Sequence, residues 1–391
     1  MQGNVDAATQ AWIATLGPEE LALARDYTTG NHWLILFGLL VSALVTWIVV
    51  RSGVLDRLSG KLEKRGRALR TFLIAAVFLV VDTLLTLPWT IYTDWWRESQ
   101  YGRTSQPLGD FLAQGAISLV LTALIGGLFL LGIYALIRRS GHLWWAWSGG
   151  LVAAGVSFLL LLSPVLIEPL FNTYEPIPEG EVRDAVMELT AEAGVPESRV
   201  FMFDGSRQSN NFTANVSGVG SAARIAISDV AMDEASLDEV KAVTGHEIGH
   251  YVLGHVWRTV TVVTLLAVLI FWLTDKLYPR MARLFGTDAA ISDPRGLPVL
   301  LFVMSLLATL AQPVTNGLTR VGEREADAYS LAHVGLPDAL SGALIKTAEY
   351  RYPLAGPVEE ALFYTHPTVA NRIRAAMAWK VANLAEGSVS E

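Results

Sequence analysis

Cysteine is absent from the 391 residues. Its absence excludes disulfides, thiolate nucleophiles, iron–sulfur clusters and every cysteine-based zinc site, so any metal must be held by histidine, aspartate or glutamate. Charge is scarce as well: 17% of the residues are charged and 52% hydrophobic, where an ordinary soluble chain carries roughly a quarter charged. No excess of basic residues is present either. The net charge of −8 and pI near 5.5 argue against a nucleic-acid partner, whose phosphates demand a basic surface. High apolar content and the lack of short repeats exclude disordered and low-complexity classes, and a mean hydropathy of +0.39 points to a membrane protein.

Crossing ~30 Å of hydrocarbon takes about 20 mostly apolar helical residues. Six segments qualify: Trp33–Val50, Thr71–Tyr92, Phe111–Ile137, Leu143–Leu170, Thr259–Leu273 and Leu297–Val314. Trp33, Trp89, Trp95, Trp96, Trp144, Trp145, Trp257 and Trp272 sit near their ends, where an amphipathic ring prefers the interface. Asp82 lies within the second span, as a chamber-lining residue or a local polar partner. Residues 1–31 lack a basic leader and a small-residue cleavage site, so no removable signal peptide is expected. Basic residues gather on one side: Arg51, Arg57, Lys61, Lys64, Arg65, Arg67, Arg70, Arg138, Arg139, Lys276, Arg280, Arg283 and Arg295. Basic short loops tend to stay cytoplasmic, which places the polar stretch and the C-terminus on the opposite face.

The expected division is an N-terminal arm (1–31), a four-span membrane domain (32–170), an α/β insertion with a metal-binding helix (171–256), two further spans (257–316) and a C-terminal helical part (317–391). In the insertion, Val182, Val186 and Leu189 recur at helical spacing over Glu181–Ala193. Val200–Phe203 and Arg224–Ser228 read as strands, and Gly205–Gly220 as a turn and irregular edge strand. Ser236 and Glu239 form a capping box that opens a helix through His246 and His250, extending towards the fifth span. Val321–His333, Leu340–Tyr350 and a segment starting at Pro367 are further helix candidates.

Only seven histidines occur, and two of them stand in His246-Glu247-Ile-Gly-His250. Residues four apart share a helix face, so both imidazoles can grip one zinc ion, and Glu247 is placed to deprotonate a bound water. A catalytic zinc needs a third protein ligand and an open position. His255 comes five residues after His250, one short of the spacing that would make it that ligand. Glu323-Arg-Glu-Ala-Asp327 supplies a better one. Glu323 is expected to ligate and Asp327, on the same face, to hold a zinc histidine in its tautomer, while Glu325 faces away. His366, in Thr-His-Pro-Thr and six residues before Arg372, is a candidate donor to an oxyanion.

Together with Leu170-Phe-Asn-Thr-Tyr-Glu-Pro-Ile-Pro-Glu-Gly180 and Thr365-His-Pro-Thr-Val-Ala-Asn-Arg372, these motifs make the chain resemble the zinc-dependent CAAX prenyl protease family, type 1, and its bacterial relatives, from about Tyr92 to the last helix. The resemblance implies a mainly α fold: a polytopic membrane helical bundle enclosing a water-filled chamber, with a gluzincin-type zinc protease domain carrying a small β-sheet. It implies one zinc held by His246, His250 and Glu323, Glu247 as general base and acid, and His366 and Arg372 at substrate- and oxyanion-contacting positions. The family carries an Asn-Ala-aromatic segment on its substrate-pairing edge. Here the stretch reads Asn210-Asn-Phe-Thr-Ala-Asn215, with Thr213 at the expected asparagine and Asn211 or Asn215 as substitutes. Backbone pairing along the edge, through Thr213, Asn215, Val216, Ser217 and Gly218, survives that change.

The expected activity is therefore that of a multi-pass zinc metalloendopeptidase, in a bacterial cytoplasmic membrane. Its partners are a peptide or protein substrate, lipidated or hydrophobic, and the lipid bilayer; no nucleic acid is expected. Alternatives are quality-control cleavage of membrane proteins, as in the HtpX proteases, and a zinc-containing membrane transporter. Topology divides the reading: the family shows seven spans and a cytoplasm-facing site, whereas six spans are counted here and the basic loops put the site outside.

Overall fold

The computed structural model describes residues 2–194, 200–211, 213–217, 224–348 and 351–387. A short helix α1 (Gln2–Ile13) precedes α2 (Pro18–Ser52), which begins on a proline at its first turn and ends at Gly53, φ 63°. Next come α3 (Val54–Lys61), α4 (Arg67–Gln100), α5 (Leu108–Arg139) and α6 (Gly141–Leu170). The polar insertion holds β1 (Tyr174–Pro176), α7 (Glu181–Glu192), β2 (Val200–Phe203), β3 (Ala214–Ser217), β4 (Arg224–Ser228), α8 (Asp229–Glu234) and α9 (Leu237–Val252). Then follow α10 (His255–Phe285), α11 (Leu297–His333), α12 (Pro337–Lys346), α13 (Pro357–Phe363) and α14 (Val369–Gly387). Among the described residues, six helices are long and apolar enough to cross a bilayer: α2, α4, α5, α6, α10 and α11.

Three expectations change in form. The first span is longer than its apolar run, because α2 already starts at Pro18 within the expected arm. The sixth span and the Val321–His333 helix are one unbroken helix, α11, which runs through Pro313. At the other end, the helix carrying His246 does not run into the fifth span. It stops at Leu253, and Gly254, φ 65°, turns the chain before α10.

The four-stranded sheet has the order β1-β2-β4-β3, with β2 and β4 parallel and the outer pairs antiparallel. β4 is buried along its whole length and β3 lies at the edge. The edge-strand expectation is met over Ala214–Ser217; Gly218 lies outside the described residues. Loop residues just before β3 are tied to the membrane bundle: Arg207 donates to both carboxylate oxygens of Asp110 on α5, at 3.2 and 2.6 Å, and the Asn210 amide N–H bonds Arg103 O at 2.9 Å. Between α4 and α5 lies a cavity of about 590 Å³. Its wall includes Thr83 and Leu84 but not the half-buried Asp82.

α9 and α11 pack closely, and glycine makes that approach possible. A Cβ at Gly249 would meet Ala326 Cα at 3.1 Å and Tyr329 Cβ at 3.0 Å; one at Gly245 would meet Val334 Cγ2 at 2.5 Å. Ser330 Oγ then donates to Ala242 O at 2.6 Å across the seam. The capping box forms as expected, Ser236 N–H to Glu239 at 2.8 Å and Glu239 N–H to Ser236 Oγ at 3.3 Å. Lys346 on α12 donates to Glu239 at 2.8 Å, which fixes the start of α9 against the C-terminal helices. Gly249→Ala is expected to force α9 and α11 apart and cost about 1–3 kcal/mol. A thermal melt in detergent checks this, and an unchanged midpoint would contradict it.

Candidate active site

α9 and α11 bring three donors to one point. His246 and His250 share a face of α9, and Glu323 lies opposite on α11 with 5% exposure. His246 Nε2 and His250 Nε2 are 3.1 Å apart; each lies 3.4 Å from a different oxygen of Glu323. A tetrahedral metal with bonds of about 2.0–2.1 Å spaces its ligand atoms roughly 3.3–3.4 Å apart. The two nitrogens stand close to that spacing from each other and each at it from its own Glu323 oxygen. Glu323 Oε2 is buried yet accepts no hydrogen bond among the described residues, a state a polar atom tolerates only where something else satisfies it. The residues present therefore fit a divalent metal ion.

The surroundings hold His246 in one tautomer. Asp327, one turn beyond Glu323, accepts from His246 Nδ1–H at 2.9 Å, which leaves Nε2 as the nitrogen that faces Glu323. Arg372 on α14 donates Nε and Nη2 to the two Asp327 oxygens at 2.8 and 2.7 Å, and its Nη1 stands 3.4 Å from Glu323 Oε2. Burial disfavours a charged His246, but the carboxylates of Asp327 and Glu323 outweigh it and lift its pKa to about 9. The site is thus built to hold positive charge. Arg372 is buried at the same point, where Asp327 and Glu323 keep it charged.

Around the donors lies a cavity of about 350 Å³. Glu247, His366 and Arg372 line it, and so do Asn211, Thr213 and Ala214 from the approach to the edge strand. The His366 Nε2 is 3.2 Å from Glu323 Oε1, and burial pushes its pKa below the ordinary value, which favours the neutral ring. All the expected site residues of α9, α11 and α14 converge here, with His366 and Thr213. Asn215, Val216 and Ser217 continue along the edge.

Asn211, one of the two substitutes expected for the family's asparagine, lines the cavity, and its Oδ1 is buried without a hydrogen-bond partner among the described residues. Several residues escaped the sequence. Arg351 lines the cavity. His255 sits against His250, where the spacing test had considered it only as a ligand. Arg320 on α11 donates to the carbonyls of Glu360 and Ala361, at 2.9 and 3.2 Å, and to that of Tyr364, while Asn316 donates to Leu362 O at 3.0 Å. These bonds satisfy the end of α13 and so fix the segment carrying His366. No local signal marks them, because a polar run after a span reads as a helix end.

A protein whose fold joins a membrane bundle to this site is a membrane-embedded metalloprotease. The chain belongs to peptidase family M48, whose pattern matches residues 176–380; residues 6–173 match the N-terminal region of CAAX prenyl proteases, described as five membrane helices. Four of the six long apolar helices fall in that second stretch. An uncharacterised metalloprotease of Bacillus subtilis, YhfN, is 30% identical over 83% of this chain and 77% of its own. The CAAX prenyl protease 1 homologue of Oryza sativa is 26% identical over 85% of this chain and 79% of its own. The crystal structure of Ste24p from S. mikatae superposes with a TM-score of 0.75, at 21% identity, over 96% of this chain and 94% of that one.

Removing the Arg320 side chain strands carbonyls at the end of α13, each costing about 1–3 kcal/mol if left unpaired. Arg320→Ala is expected to lower peptidase activity roughly 10- to 100-fold through misplacement of His366, with metal content unchanged. Activity assays alongside metal analysis check this; full activity would contradict it.

Proposed function

We propose that the protein is a zinc metalloendopeptidase of the bacterial cytoplasmic membrane that cuts an extended peptide near a hydrophobic or lipidated C-terminus. The convergence of His246, His250 and Glu323 beside Glu247 carries this reading. Zinc is favoured by the two imidazoles and one carboxylate, a donor set that leaves one position open. A zinc ion held there supplies Lewis acidity to a bound water and to the scissile carbonyl. The substrate class follows from relatives named as CAAX prenyl protease 1 homologues.

The protein's own groups then divide the work. Glu247, one residue after His246 on the wall of the same cavity, takes the proton from water and returns it to the leaving amine. His366 holds its ring through Thr365 Oγ1, 2.8 Å from Nδ1, which leaves Nε2–H to donate to the oxygen of the carbonyl under attack. Two of the Arg372 nitrogens are engaged with Asp327, so Arg372 acts chiefly by its charge on that oxygen and on the carboxylates. The substrate backbone adds to the outer edge of β3, and Asn211, whose side-chain oxygen has no hydrogen-bond partner among the described residues, grips it in place of the asparagine that Thr213 replaces.

Glu247→Gln is expected to keep one zinc per chain while turnover falls by roughly 10²–10⁴. Glu323→Ala is expected to lose the metal as well. Metal analysis of detergent-purified protein and cleavage of a fluorogenic peptide read both; unchanged zinc and activity in the two variants would overturn the mechanism.

A further inference from the structure

We infer that His255 is a positioning residue for His250, backed by Glu325 and Arg258, in the way Asp327 and Arg372 hold His246. The inference rests on the metal-site reading above and extends it to residues outside the ligand set.

His255 is the first residue of α10 and is buried, with 7% exposure. On a continuous helix, five residues would carry it about 140° around the axis from His250, out of reach. The break at Gly254 is what returns it. Its Nδ1 lies 2.8 Å from His250 Nδ1, and the two rings meet edge to face with centroids 4.9 Å apart. Gly322 leaves the space: a Cβ there would lie 3.3 Å from His255 Nδ1 and 3.1 Å from Arg258 Nη2. Two residues beyond Glu323, Glu325 points the other way, and its Oε2 is 3.0 Å from His255 Nε2, an ion-pair contact outside hydrogen-bond geometry. Arg258 Nη1 donates to the same oxygen at 2.7 Å.

One hydrogen can lie between the two Nδ1 atoms, and the rest of the chain decides which ring carries it. If His250 donates, its Nε2 keeps the lone pair that faces Glu323. His255 then accepts at Nδ1 and holds its own hydrogen on Nε2, beside the negative charge of the Glu325 carboxylate. The reverse order would put hydrogen on His250 Nε2, in the position the metal takes, and would aim a bare His255 nitrogen at a carboxylate oxygen. Both nitrogens of His255 therefore favour the metal-ready tautomer of His250. Within five residues, α11 thus supplies the ligand Glu323 and one carboxylate towards each histidine: Asp327 directly and Glu325 through His255.

The test compares His255→Leu, which removes the acceptor, with His255→Asn, which keeps an acceptor oxygen near the Nδ1 position. Zinc dissociation constants from chelator competition, the melting midpoint of the metal-stripped protein and the d–d absorption of the cobalt-substituted protein are measured for each. Outer partners of metal histidines typically contribute 10- to 100-fold in affinity. His255→Leu is expected to bind zinc 10- to 100-fold more weakly with a shifted cobalt spectrum. His255→Asn should stay within about threefold of wild type, and the metal-stripped midpoints of all three should agree. Wild-type affinity in His255→Leu, or equal losses in both variants, overturns the inference while the zinc site stands. A wild-type protein that binds no zinc overturns the metal site and this inference together.

Discussion

Two carboxylates one helical turn apart, Glu323 and Asp327, are buried on α11 at 5% and 4% exposure. Buried charges are costly unless paired, and the rest of the site can be understood as the arrangement that pairs them. Asp327 is neutralised by Arg372 and orients His246. Glu323 faces two imidazoles across a gap the width of a metal site. Removal of any one partner leaves the others with uncompensated charge, which explains why histidine, glutamate, aspartate and arginine from three helices meet at a single point.

That point lies where the membrane bundle meets the polar insertion. α11 is both the sixth long apolar helix and the carrier of Glu323, so that carboxylate is held by an element anchored in the bundle. The histidines arrive on α9, which glycines at 245 and 249 allow to lie against it. Arg207 and Asp110 fasten the approach to the edge strand to α5. Membrane helices, sheet and C-terminal helices each contribute one wall or one donor, and the geometry depends on their mutual registration rather than on any one segment.

Much of this was legible from residue order. The six apolar runs are long enough to dominate local preference, and the capping box and the His246–His250 spacing are local patterns with local causes. The triad with Glu323 was also legible, because a catalytic zinc requires a third ligand and Glu323 and Asp327 share a helix face. What was hidden depends on chain direction or long-range contact. β1 is three residues ending in proline, a residue that ordinarily argues against a strand. α11 reads as two helices because Thr315, Asn316, Thr319 and Arg320 interrupt the apolar run, yet Asn316 and Arg320 are polar in order to bind the α13 carbonyls. His255 was hidden because spacing rules presume one straight helix, whereas Gly254 bends the chain between the two rings.

X-ray absorption at the zinc edge of the purified protein reads whether His246, His250 and Glu323 share one metal ion. One zinc per chain is expected, with two imidazole nitrogens and carboxylate or water oxygens at about 2.0–2.2 Å, a pattern lost in His246→Ala. A zinc environment unaffected by that substitution, or no bound zinc in the intact protein, would contradict it.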